Sequence, residues 1–135
     1  GHAPMMEEAA RQAPKPDAVV LSVGGGGLLL GVLAGMHRVG WQDVRVLALE
    51  TEGAASFYRS VEAGGLVTLE RIDTVARSLG ARRVAPALMD WLPRHRIVPW
   101  LVADRQAVLA CRRFADDAHV LVEPACGASL AAVYD

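Results

Sequence analysis

Lysine is almost missing from this sequence: Lys15 stands alone among 14 basic side chains. Chemistry that needs a lysine amine must use that residue or one supplied from elsewhere. The arginines are scattered, with short pairs only at Arg82-Arg83 and Arg112-Arg113, and the net charge is −1. Without a basic stripe to track a phosphate backbone, nucleic-acid binding is excluded as a working reading. Only two cysteines are present, Cys111 and Cys126, in different segments and without metal-ligand spacing. Neither a disulfide framework nor a zinc site is expected from that pattern. No apolar run approaches the ~20 residues that span a bilayer, and no basic region followed by an apolar stretch opens the sequence. The expectation is a soluble, cytoplasmic protein with no membrane partner.

What the sequence does contain is apolar residues in quantity, 53% over 135 residues. That suffices for one domain with a real core. Aromatics are few while Ala, Val, Leu and Gly abound, as in strands and helices packed closely in α/β layers. Met5 to Gln12 reads as a helix, ended by Pro14 and Pro16. Ala18 to Val23 is a continuous β-branched run, typical of a strand covered on both faces. Leu28 to His37 reads as a helix, and Val44 to Leu49 as a second strand ending on Glu50. Ser56 is placed to cap a short helix through Ala63. The stretch from Leu66 to Ala81 is irregular. Pro86 to Arg94 reads as a helix, and Ile97 to Val102 as a strand at an edge or bulge because of Pro99. Asp104 is expected to cap a helix to Asp117. His119 to Val122 reads as a fourth strand, Glu123 to Gly127 as a turn, and Ala128 to Tyr134 as the start of a helix. The alternation predicts an α/β fold, a mostly parallel open sheet with helices on both faces.

Between the first strand and its helix lie four consecutive glycines, Gly24, Gly25, Gly26 and Gly27. A helix N-terminus offers unpaired N–H groups and the positive end of the helix dipole. Glycines let a phosphate rest against bare backbone there. The dinucleotide pattern G-x-G-x-x-G/A fails in both registers, because Leu29 and Leu30 occupy the third position. A Walker A loop is excluded, since no Gly-Lys-Ser/Thr ending follows. Glu50, at the end of the next strand, could be a ribose-binding acid, a helix cap or a solvated strand-end residue. His37, His95 and His119 have no partner at ligand spacing and read as structural, and Trp41, Trp91 and Trp100 read as packing.

Four blocks now stand in order. They are Ser22 to Leu29 followed by Gly31, Glu50-Thr51 with Gly53-Ala54, Ser78 to Ala81, and Val122 to Ala128. Together they resemble the L-serine/L-threonine dehydratases, pyridoxal-phosphate enzymes of the tryptophan-synthase-β fold type. The resemblance covers almost the whole sequence. It implies that Gly24 to Gly27 donate N–H groups to the phosphate of pyridoxal 5'-phosphate and that Cys126 faces the pyridine nitrogen. It further implies that Glu50, Ala54, Ser56, Leu79 and Ala81 form a monovalent-cation site, usually for potassium. Ser56 stands where related racemases carry an acid, which speaks against tight magnesium. The implied reaction is β-elimination, turning L-serine into pyruvate and ammonia, or L-threonine into 2-oxobutanoate, in a homodimer.

The family's reactive lysine belongs to an upstream Ser-Phe-Lys-like motif, and neither that motif nor the substrate loop occurs here. Lys15, between two prolines, does not match it, so no catalytic side chain is assigned within 1–135. The expectation is that this stretch is the second half of the large cofactor-binding domain. A degenerate product that keeps the cradle, a non-catalytic phosphate- or nucleotide-binding module, and serine racemase-like activity remain open alternatives.

Overall fold

The structure, a computed structural model, describes residues 1–134. Helix α1 (Ala3–Gln12) leads into strand β1 (Ala18–Ser22), which is followed by α2 (Gly27–Arg38) and β2 (Arg45–Thr51). Helix α3 (Ser56–Ala63) precedes a long irregular excursion, and α4 (Ala87–Trp91) precedes β3 (Ile97–Val102). Two further helices close the order, α5 (Asp104–Ala118) and α6 (Pro124–Tyr134). The strands form one parallel sheet in the order β1-β2-β3, with Leu21 opposite Ala48 and Ala48 opposite Pro99. Pro99 is tolerated because β3 pairs only with β2 among the described residues.

Alternation along the strands separates two buried clusters. Leu21, Val23, Val46 and Ala48 meet Leu29, Val32, Leu33 and Met36 of α2 on one face. Val20, Leu47 and Leu49 meet the alanines of α5 and α6 on the other. Small residues let those two helices approach closely: a Cβ on Gly127 would lie 2.1 Å from the Ala107 carbonyl oxygen. The doubly covered parallel sheet expected from the sequence is therefore present.

Four local expectations need correction. Residues 119–122 are not a strand. His119 ends α5 in the left-handed conformation (φ 56°), and Val120 and Leu121 are exposed and pair with no strand among the described residues. A β-pattern becomes a strand only with a partner ladder. The 123–127 turn is instead largely the first turn of α6, started by Pro124, which fits there because an N-terminal helical N–H needs no partner. The helix expected over 86–94 contracts to Ala87–Trp91. Ser56 and Asp104 are not caps but the first residues of α3 and α5, after Ala55 and Ala103.

At the amino ends of the strands a histidine pair joins three segments. His95, 4% exposed, must donate from Nε2 to the Val44 carbonyl oxygen (2.6 Å). Its neutral Nδ1 then accepts from His37 Nε2 at 2.9 Å. The His37 ring meets Trp91 edge-on, and Arg94 stacks over that indole. Burial, followed by the fields of His95 and Arg94, holds His37 below its ordinary value of 6.5. The unfolded chain therefore binds this proton more readily, so the stability is present above pH 6.5 and lost as pH falls below it. Replacing His95 with Ala strands the Val44 carbonyl and His37. A loss of about 1–3 kcal/mol in urea unfolding is expected, and an unchanged midpoint would show that the pair carries no stability.

Candidate functional site

The glycine run leaves the carboxyl end of β1, where parallel α/β sheets bind ligands. Gly26 caps α2 with φ 96°, a conformation that only glycine adopts without strain. One side of the loop is packed. A Cβ on Gly24 would stand 3.1 Å from the Ser78 carbonyl oxygen, and one on Gly26 would strike Leu88 at 2.5 Å. Ala85 N–H donates to the Gly25 carbonyl at 2.8 Å, fixing the loop from below. The other side is open: a Cβ on Gly25 or Gly27 meets nothing within 4 Å. The run is thus a floor with exposed backbone at the positive end of a 12-residue helix.

Beside this floor lies a largely apolar cleft of about 490 Å³. Ser22 and Leu28 flank the glycine run on its wall, and Leu79, Cys126, Ser129 and Leu130 continue it. Cys126 is exposed at the start of α6. The polar floor at one end and the apolar wall beside it fit a ligand with a phosphate and a flat ring, such as pyridoxal phosphate. Lys15 is far from fitting. It ion-pairs with Asp43 at 2.6 Å, ahead of β1 and β2, at the opposite end of the strands from the glycine run.

Glu50 lies fully buried within β2, near its carboxyl end. Its two carboxylate oxygens accept the N–H groups of Phe57 (2.8 Å) and Tyr58 (2.7 Å), so it caps α3 from outside the helix. Burial pushes its pKa up to about 7, and the two N–H donors work against that rise. Ser56, beside it on α3, has a buried hydroxyl with no hydrogen-bond partner. Ala54 and Leu79 share one buried cluster, and Ala81 donates its N–H to the Leu79 carbonyl at 2.9 Å. Leu79 also joins the two halves of the site, because its Cα would lie 3.5 Å from a Cβ on Gly24. A single carboxylate and an orphaned hydroxyl suit a weakly charged, oxygen-seeking cation. Among the described residues no group of three or more His, Cys, Asp or Glu could hold a metal ion.

Two features escape sequence reasoning. Thr51 Oγ1 donates to Thr74 Oγ1 (2.8 Å), which donates to Asp104 Oδ1 (2.6 Å), while Asp104 Oδ2 accepts from Val75 N–H (2.9 Å). This partly buried chain of bonds pins the irregular excursion, and with it Ser78 and Leu79, against the end of β2. The second is the Ser22 hydroxyl, which bonds to the Ala125 carbonyl and to Ser129. Neither pairing has a signal in local periodicity.

Comparison with known proteins places this geometry. The family described as pyridoxal-phosphate dependent enzyme matches residues 1–135. An L-serine dehydratase/L-threonine deaminase of Rattus norvegicus is 48% identical over 135 residues, 99% of this chain. This chain spans only 37% of that relative's length. Among solved structures, a fungal L-serine ammonia-lyase from Rhizomucor miehei superposes with a TM-score of 0.96 at 40% identity, over 99% of this chain and 43% of that one. Maize serine racemase superposes with a TM-score of 0.91 at 27% identity, over 99% and 42%. No helix among the described residues is long and apolar enough to cross a membrane.

Proposed function

The chain belongs to the pyridoxal-phosphate-dependent enzyme family, and from that premise we propose that it is the phosphate-holding portion of an L-serine/L-threonine dehydratase. The observation that carries the reading is the glycine floor, open only at Gly25 and Gly27, against an apolar cleft. In this reading the N–H groups of Gly24 to Gly27 hold the cofactor phosphate at the α2 N-terminus. Apolar side chains of the cleft exclude water from the ring, which strengthens every polar contact made there. Bound pyridoxal phosphate supplies the electron sink that makes the α-proton of serine or threonine removable. Potassium is the ion proposed for Glu50, Ala54, Ser56, Leu79 and Ala81, supported by the unpartnered Ser56 hydroxyl. A homodimer and a place in gluconeogenesis rest on the family resemblance alone, and a cytoplasmic setting on the composition of the sequence.

Cys126 is proposed to face the pyridine nitrogen, supported by its place on the cleft wall. A thiol is a weak partner for that nitrogen, so the role is modest. Cys126→Ala is expected to lower cofactor affinity about threefold to tenfold, on the scale of one weak hydrogen bond. Unchanged affinity and an unchanged cofactor absorption spectrum would remove Cys126 from the site.

Residues 1–135 are further proposed to be part of a larger cofactor-binding domain whose remainder supplies the reactive lysine. Support comes from the length of the relatives, from β1 pairing only with β2 among the described residues, and from Leu121, 91% exposed beside Val120. An open sheet edge and exposed apolar residues are what a covering segment buries. The direct test is a chimaera in which this chain replaces the aligned stretch of the rat relative. Pyruvate and ammonia from L-serine, and 2-oxobutanoate from L-threonine, are the expected products. A folded, cofactor-loaded chimaera that only interconverts L- and D-serine would instead establish the racemase reading.

A further inference from the structure

We infer that Ser22 is a positioning residue that sets the span between the phosphate floor and the ring-binding wall of the cleft. The inference rests on the reading that this cleft takes pyridoxal phosphate. Ser22 is the last residue of β1, immediately before the loop that carries the glycines. Its hydroxyl lies 2.6 Å from the Ala125 carbonyl oxygen and 2.5 Å from Ser129 Oγ. A carbonyl can only accept, so Ser22 donates to Ala125 and must accept from Ser129. One hydroxyl thus closes two bonds to residues 103 and 107 positions away.

Both partners sit in the first turns of α6, on either side of Cys126. Elsewhere α6 meets the buried cluster through Ala128 and Ala131, with Leu130 partly buried beside them, and these apolar contacts are non-directional. The Ser22 bonds are directional and fix the register of α6 against β1 at the end where the ligand lies. Ser22, Ala125, Cys126 and Ser129 all line the cleft, so a shift in this register changes the distance a ligand must bridge. The glycine floor itself is held independently, by Ser78, Ala85 and Leu88. Loss of the Ser22 bonds therefore leaves a phosphate's own seat intact and misplaces the wall beside it.

Two ligands separate these effects: inorganic phosphate, which needs only the floor, and pyridoxal phosphate, which spans floor and wall. With the chimaera that carries this chain in place of the aligned stretch of the rat relative, Ser22→Ala is expected to weaken pyridoxal phosphate binding about tenfold. Inorganic phosphate affinity should stay within about twofold, because its donors are backbone N–H groups that the substitution does not touch. Ser22→Thr keeps the hydroxyl in a strand-favouring residue and should restore pyridoxal phosphate affinity. Ser129→Ala removes one bond of the pair, gives a smaller loss of the same kind, and serves if Ser22→Ala does not fold. A proportional loss of both ligands, or unchanged pyridoxal phosphate affinity, overturns the inference while leaving the functional reading in place. A wild-type chimaera that folds but binds neither ligand overturns both.

Discussion

Gly27→Asp should make the protein slightly more stable while destroying its hold on a phosphate. The two signs come from the same location. Gly27 is the first residue of α2, its φ is not in the left-handed region, and a side chain there meets nothing within 4 Å. Replacing glycine in a helix removes unfolded-state entropy, and a carboxylate in the first turn interacts favourably with the helix dipole. Together these contribute about 0.5–1.5 kcal/mol. The same carboxylate occupies the open side of the floor and repels an incoming dianion. Like charges in contact at a partly desolvated site cost enough to lower affinity about a hundredfold or more. Thermal unfolding and a pyridoxal phosphate titration on one preparation read both effects. A variant that is more stable and binds as well as the wild type would show that the open side of the glycine run is not where phosphate sits. Gly26→Ala provides the contrast, because its φ of 96° and the nearby Leu88 make any side chain there destabilising.

Raising the pH from 5 to 8 in a buffer of large organic cations should cost about 2–3 kcal/mol of stability through Glu50 alone. Its folded pKa, pushed up to about 7 from an ordinary 4.5, means that the folded chain binds this proton more tightly than the unfolded one. The contribution is therefore fully present below 4.5 and is lost as pH rises through 7. His37 works in the opposite direction, losing stability as pH falls below 6.5, so the Glu50 effect is isolated by comparison with Glu50→Gln. That variant keeps one acceptor for the α3 N–H groups and cannot ionise, and its stability should vary with pH by about 2–3 kcal/mol less than the wild type's. A small cation held beside Glu50 and the Ser56 hydroxyl favours the ionised carboxylate, so potassium chloride should restore stability at pH 8. Tetramethylammonium chloride at equal ionic strength should not. Equal pH dependence in wild type and Glu50→Gln would remove Glu50 as the source, and equal effects of the two salts would remove the cation site.

The parts of this fold legible in the sequence are those decided locally. A β-branched run followed by glycines and then leucines reads as a strand, a turn and a helix, and β1, Gly24 to Gly27 and α2 follow that order, although within β1 only Leu21 is buried. The third strand is bounded at Ile97 and Val102 as its composition indicates. Residues 119–122 show the limit of the same reasoning. Their side chains suit a strand, but pairing depends on a neighbour that the described residues do not provide. The helix caps differ from the local pattern for a related reason. Ser56 has the right chemistry for an N-cap, yet Glu50 reaches in from β2 and takes the N–H groups first. The Ser22, Ala125 and Ser129 bonds and the Thr51, Thr74 and Asp104 bonds join residues far apart in the chain, where neither periodicity nor spacing carries information.

The central claim is that Gly24 to Gly27 hold the phosphate of pyridoxal phosphate, and a paired titration tests it most directly. Pyridoxal phosphate and pyridoxal, which share the ring and differ in the phosphate, are titrated into the 135-residue chain with and without inorganic phosphate. Pyridoxal phosphate should bind at least about tenfold more tightly than pyridoxal, on the scale of two or more charge-assisted hydrogen bonds, and inorganic phosphate should compete with it. Borohydride treatment of the complex should leave the ligand unattached, since Lys15 lies at the other end of the sheet in an ion pair with Asp43. Equal affinity for the two ligands, with no competition by phosphate, would contradict the claim.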